Sequence, residues 1–178
     1  MDSVHFLLVI GQLVHIVFTN SGGYFKDANG FITLDDGVHV KTLGSDCKME
    51  KFRIGPKSAM MLESANLHTE YEDGLKCKNI FVPNGDCSLL LQCEDFELQP
   101  QNKNGKCGAD FLLVKDKQHR NKYCGSDQTL INSINHGDRM EILFKTNKNR
   151  NDYKGFKCHI SCCPQNHLSN TQVQLDFR

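Results

Sequence analysis

Nine cysteines and eight histidines are the residues of this chain best equipped for chemistry. Cys158-His159, Cys162-Cys163 and His167 crowd together, and thiolates with imidazoles at such spacing can close a tetrahedral zinc site. In an oxidising compartment the same thiols form disulfides instead, so the compartment decides between the two chemistries. Nucleophilic catalysis has no comparable starting point. A serine hydrolase needs a nucleophile, a histidine base and a carboxylate to orient it. Neither Gly-Asp-Ser-Gly-Gly nor Gly-x-Ser-x-Gly occurs here, and the histidines are scattered among polar neighbours. No enzymatic activity and no cofactor is expected. A further candidate is electrostatic. The segment from Lys145 to Lys157 carries five positive charges against Asp152. Its Lys145, Lys148, Arg150 and Lys154 are candidates for holding an acidic partner or a sulfated glycan, although a solvated hairpin tip is the plainer reading of such a run.

The compartment is written in the first residues. Phe6 to Phe18 is apolar apart from Gln12 and His15, and Thr19-Asn20-Ser21-Gly22-Gly23 breaks it. Those 13 residues suit the core of a signal peptide, about 7–15 residues, and fall short of the ~20 of a spanning helix. Thr19 and Ser21 put small side chains at −3 and −1 of a cut before Gly22. Residues 1–21 are therefore expected to be a signal peptide and the protein to be secreted. No later stretch is apolar enough to insert in a membrane. Removing 21 of 178 residues takes one acid, Asp2, and no base from totals of 21 each, leaving 157 residues at net charge +1. A chain so near neutrality has no global pull toward nucleic acid or an anionic membrane. Outside the cell, Cys47, Cys77, Cys87, Cys93, Cys107, Cys124, Cys158, Cys162 and Cys163 read as disulfide partners rather than zinc ligands. Nine is odd, and the vicinal Cys162-Cys163 pair is the natural place for the thiol left over.

The elements that must position these residues are strands, because the hydrophobic period is two. Short β-prone pieces are Phe31–Leu34, Val38–Val40, Phe52–Ile54, Cys87–Cys93, Asp110–Val114, Met140–Phe144 and Phe156–Cys162. Turn signals separate them: Asp35-Asp36-Gly37, Pro83-Asn84-Gly85-Asp86, Asn104-Gly105, His136-Gly137-Asp138 and Asn149–Asp152. Many short strands without an amphipathic helix predict an all-β protein, an antiparallel β-sandwich stapled by disulfides. Residues 22–46 read as an N-terminal arm or extra edge strands, 47–163 as the domain, and 164–178 as a polar tail with one possible strand, Val173–Phe177.

The order of motifs from Cys47 to Cys162 resembles a CUB domain. Cys47 is followed by Glu63-Ser64-Ala65-Asn66-Leu67-His68-Thr69-Glu70-Tyr71 in place of a Ser-Pro-Asn-Tyr-Pro stretch, and then by Cys77. A central strand runs from Leu89 to Leu98. Cys107-Gly108-Ala109-Asp110 matches Cys-x-x-Asp, Tyr123-Cys124-Gly125 matches Tyr-Cys-Gly, and Leu143–Asn147 leads to the Gly-Phe pair at Gly155-Phe156. Asn79 replaces the usual tryptophan, and Cys87, Cys93 and Cys158 are additional. Extra cysteines in the central and last strands are similar to those of arthropod CUB domains, in venoms and ahead of trypsin-like protease domains.

The resemblance implies the disulfides Cys47–Cys77 and Cys107–Cys124. For the additional cysteines, antiparallel register favours Cys93–Cys158, with Cys87 then taking Cys162 or Cys163. The resemblance also implies a calcium position formed by three acidic residues. Here those positions read Gln99, Asp110 and Asn147, a degraded set, so no metal is favoured. The function implied is a secreted, non-enzymatic binding module for a protein or carbohydrate partner, as in venom or another secreted fluid. The alternative is the N-terminal regulatory region of a trypsin-like protease, with Cys162-Cys163-Pro164-Gln165-Asn166 as a linker remnant. A zymogen junction Arg-Ile-Val-Gly-Gly is absent, as are the repeats of a matrix protein.

Overall fold

The computed structural model describes residues 24–64, 70–126, 133–134, 139–149 and 152–164. The expected signal peptide, Arg150, His167 and the tail after Pro164 lie outside the described residues. The described chain is built of strands with no helix. They are β1 (Tyr24–Lys26), β2 (Phe31–Leu34), β3 (Gly37–Thr42), β4 (Glu50–Ile54), β5 (Ser58–Glu63), β6 (Lys76–Pro83), β7 (Cys87–Glu97), β8 (Phe111–Lys115), β9 (Arg120–Tyr123), β10 (Ser133–Ile134), β11 (Met140–Lys145) and β12 (Gly155–Pro164). One sheet has the order β1-β2-β4-β6-β11-β8-β9 and the other β10-β7-β12-β5-β3.

Alternation in each strand turns one set of side chains inward. Phe52, Phe81, Met140, Ile142 and Phe144 of the seven-stranded sheet are buried, as are Met60, Leu62, Leu89, Leu91 and Ile160 of the five-stranded one. Fully burying a side chain of this kind contributes about 1.5–3 kcal/mol. Phe52 stacks on Phe81 at 5.4 Å between centroids, and Phe144 meets Phe156 edge-on at 5.0 Å. The expected β-sandwich is thus the observed fold.

The pairing is not all antiparallel, and that part of the expectation is corrected. β2–β4, β4–β6 and β3–β5 are parallel. The cause lies in the turns. Only Asp35 and Asp36 separate β2 from β3, and Gly55 to Lys57 separate β4 from β5, yet each turn carries the chain into the other sheet. With every other strand placed in the opposite layer, strands of one layer run in the same direction. A hairpin signal and a corner between layers look alike in sequence. Residues 24–42 supply the edge strand β1 and its neighbour β2 on one sheet and the edge strand β3 on the other.

In β6 the inward positions are Cys77, Asn79 and Phe81. Asn79 is 1% exposed and its Oδ1 has no hydrogen-bond partner. A buried orphan acceptor costs about 1–3 kcal/mol. Asn79→Val, which keeps a strand-compatible side chain without that oxygen, is expected to raise stability by roughly 1 kcal/mol in urea titration.

Candidate functional site

The candidate residues gather at one end of the sandwich. Leu98 and Gln99 follow β7, Asp110 precedes β8 and Asn147 follows β11. β8 and β11 are neighbours, with Phe111 opposite Lys145, and this register brings Asp110 beside Asn147. The loop after β7 is pinned by Gly125: Leu98 N–H donates to the Gly125 carbonyl at 2.9 Å, and Gly125 N–H to that of Gln99 at 3.1 Å. Thr146 fixes the other side. Its Oγ1 accepts from Leu75 N–H at 2.7 Å and donates to the Glu72 carbonyl at 3.0 Å.

Gly155 opens the last strand beneath this end with φ of 88°. A Cβ there would lie 1.9 Å from Ser64 Oγ. That hydroxyl accepts from Phe156 N–H at 2.8 Å, so only glycine permits both the turn and the contact.

Asp110 is fully buried. One carboxylate oxygen accepts from Tyr71 Oη at 2.7 Å and the other from Asn147 N–H at 2.7 Å. Burial, and then the hydrogen bond to Asp110, push the Tyr71 phenol far above its usual range, so it remains a donor. Asn147 Nδ2 donates to Gln99 Oε1 at 2.7 Å, while Asn147 Oδ1 accepts from Asn149 N–H at 2.7 Å. Each side-chain oxygen of Gln99, Asp110 and Asn147 thus already accepts from a protein donor, and only one of the three positions is a carboxylate. The donor set does not fit calcium, which asks for six to eight oxygens and high ligand charge. What it does instead is tie four loops together.

The structure brings Gln99, Asp110 and Asn147 into one network. It also joins Cys47 to Cys77, Cys107 to Cys124, Cys93 to Cys158 and Cys87 to Cys162. Cys163 keeps its thiol. The choice between the vicinal cysteines is one of side: Cys162 is buried on the inward face with Cys87, and Cys163 alternates to the outer face. Cys158 and Cys162 are thereby committed to sulfur, and His159 Nε2 lies 3.2 Å from Glu94. The basic segment is divided. Lys145 stands on the outer face of the seven-stranded sheet, 5.9 Å from the Phe111 ring, whereas Lys148 and Lys154 are exposed in the connection to β12. Sequence reasoning missed Tyr71 and Thr146 as partners. Tyr71 stood in a recognised motif, but its role depends on a loop 39 residues away.

The CUB domain family model matches residues 47–160. No curated protein matches the sequence. Among solved structures, the full extracellular region of zebrafish Gpr126/Adgrg6 is similar at TM-score 0.53 and 19% identity, over 63% of this chain and 14% of that one. The CUB1-EGF-CUB2 domains of rat MASP-1 are similar at TM-score 0.53 and 14% identity, over 64% and 42%. The MASP-1 CUB2 domain bound to Ca2+ is similar at TM-score 0.50 and 17% identity, over 61% and 96%. At these identities the likeness is one of fold, and this chain spans less than half of the first two.

Proposed function

Because the chain belongs to the CUB domain family, a family of protein-binding modules in extracellular proteins, we propose that it is a secreted, non-catalytic module that engages a protein or carbohydrate partner without calcium. The observation behind this reading is the state of Asp110. Its two carboxylate oxygens accept from Tyr71 and Asn147 rather than from a histidine, and Gln99 and Asn147 add no carboxylate beside it. It therefore orients no base and stands as a single charge where calcium affinity follows ligand charge. The MASP-1 CUB2 domain is bound to Ca2+ in its crystal. In this chain Gln99 and Asn147, two of the positions where the family pattern implies acidic ligands, bond to one another at 2.7 Å. The disulfides suit an oxidising compartment, and residues 1–21, acting as a signal peptide and then removed, would deliver the chain there. Venom or another secreted fluid is the setting that the extra cysteines suggest.

Expression of the full chain in a secretory cell tests both halves. The protein in the medium is expected to begin at Gly22 by intact mass and to leave a general peptide substrate uncleaved. Retention of Met1-Asp2 would remove the secretory half. Peptide turnover that survives inhibitors of trace proteases would remove the binding-module half.

A further inference from the structure

The outer face of the seven-stranded sheet concentrates charge that the whole chain conceals. Across the adjacent strands β6, β11, β8 and β9, the outward positions include Lys76, Lys78, Lys145, Lys115, Arg120 and Lys122. Glu141 is the acidic residue among them, and it is already held by Lys78 at 3.0 Å and Arg139 at 2.8 Å. Asp116, in the turn after β8, directs Oδ1 to the amides of Gln118 and His119 at 2.7 and 2.6 Å.

The register makes the arrangement costly. Lys145 lies directly opposite Lys76, and Lys115 directly opposite Arg120. Like charges in directly opposed cross-strand positions destabilise a sheet. Lys115 is offset by Glu141, directly opposite it on β11. Lys145 faces Phe111 on β8 and Lys76 on β6 and has no such acid opposite it. An anionic ligand would turn both like-charge pairs into contacts. Neighbouring strands are about 4.8 Å apart, and alternate residues along a strand about 6.8 Å. The cations therefore form a lattice suited to a repeating polyanion rather than to one anion. Between them, Lys78, Leu113, Lys115, Arg120, Glu141 and Leu143 line a hollow of about 180 Å³.

Resting on the reading of the chain as an extracellular binding module, we propose that this face is a docking surface for a linear sulfated polysaccharide. Charge complementarity and the extended lattice select the class. Single-stranded nucleic acid would call for aromatic rings open to stacking. The face's Phe111 is 6% exposed, with Lys122 at 4.2 Å and Lys145 at 5.9 Å over its ring.

The secreted full-length chain is tested against a heparin oligosaccharide of defined length, by affinity measured over a range of salt. Binding far beyond that expected of a chain at net charge +1 is expected, with log affinity falling linearly against log salt. The triple substitution Lys115→Gln, Arg120→Gln, Lys145→Gln should weaken it by roughly tenfold or more and flatten the salt slope. The double substitution Lys148→Gln, Lys154→Gln should change it little. All three positions of the triple variant are exposed. A cooperative thermal transition at or above that of the native chain, as relief of the like-charge pairs implies, together with intact disulfides shows that it folds. Undiminished binding by the triple variant overturns the proposal. So does equal binding of unsulfated hyaluronan, or stronger binding of polyglutamate, single-stranded DNA or anionic vesicles. No heparin binding by a protein that cleaves no peptide overturns this face and leaves the module reading standing; peptide cleavage strikes the module reading instead.

Discussion

Replacing all four cysteines of the Cys87–Cys162 and Cys93–Cys158 bridges with alanine is expected to leave the protein unfolded at 37 °C, whereas removing either bridge alone leaves it folded. Both bridges join β7 to β12, and they enclose sequence separations of 75 and 65 residues. They are nested. With Cys87–Cys162 in place, closing Cys93–Cys158 constrains only the short segments between the two. The loop is then of order ten residues, worth roughly 3 kcal/mol in chain entropy. With neither bridge present, the first closure spans the long loop, so the pair together is worth roughly 7 kcal/mol, more than twice either single removal. Domains of this size have about 5–15 kcal/mol of stability, so the double removal consumes from about half to all of it. At 37 °C, above the temperature of maximum stability, what is left is smaller still. Guanidinium titration of the wild type, each Cys→Ala pair and the quadruple variant reads this directly. Strictly additive losses, or a quadruple variant as stable as a single one, would show that the strands are held by their packing and not by the bridges.

The features legible in the sequence were the local ones. Period-two alternation in Met140–Phe144 marks a strand whose buried and outward residues alternate in the fold, and in Cys87–Cys93 it holds except at Leu90, which is buried as well. The sandwich follows from the number of such pieces. β5 escaped because Ser58-Ala59-Met60-Met61-Leu62-Glu63 alternates in burial but not in polarity, since Met61 faces outward. β6 escaped because Asn79 occupies an inward position that pattern reading reserves for an apolar side chain. The parallel pairings escaped because Asp35-Asp36-Gly37 signals a reversal without saying into which layer.

The same limit governed the sites. Lys145, Lys148, Arg150 and Lys154 are close in sequence, yet Lys145 stands in β11 on the outer face of its sheet whereas Lys148 and Lys154 lie in the connection to β12. The register sets Lys145 beside Lys76, a residue 69 positions away by number. A cationic face assembled from β6, β8, β9 and β11 leaves no run in the sequence, and a net charge near zero hides it further. Gln99, Asp110 and Asn147 could be aligned through the CUB pattern. The network that closes them depends on Tyr71 and on a backbone N–H, neither of which composition reveals.

Calcium is expected to leave the thermal transition of the native chain unchanged, while Asp110→Ala lowers its stability by about 3 kcal/mol, equally with calcium and with chelator. Two charge-assisted hydrogen bonds end on Asp110, from Tyr71 Oη and Asn147 N–H, each at 2.7 Å. Truncation leaves both donors buried or half-buried without an acceptor, and such losses cost about 1.5–3 kcal/mol per bond before the relief of removing a buried charge. The converse variant, Gln99→Glu with Asn147→Asp, replaces the amide–amide bond by carboxylates crowding Asp110. Without metal, that repulsion should make the variant less stable than the native chain. With calcium, three carboxylates restore the ligand charge that affinity follows, and a dissociation constant of about 10⁻⁴–10⁻³ M is expected. At a calcium concentration ten times that constant, mass action adds about 1.4 kcal/mol, a shift easily read in a thermal scan. Isothermal calorimetry of both proteins separates the cases. A micromolar site in the native chain that Asp110→Ala abolishes would mean that the Gln99–Asn147 bond opens to admit the ion, and would return calcium to the binding mechanism.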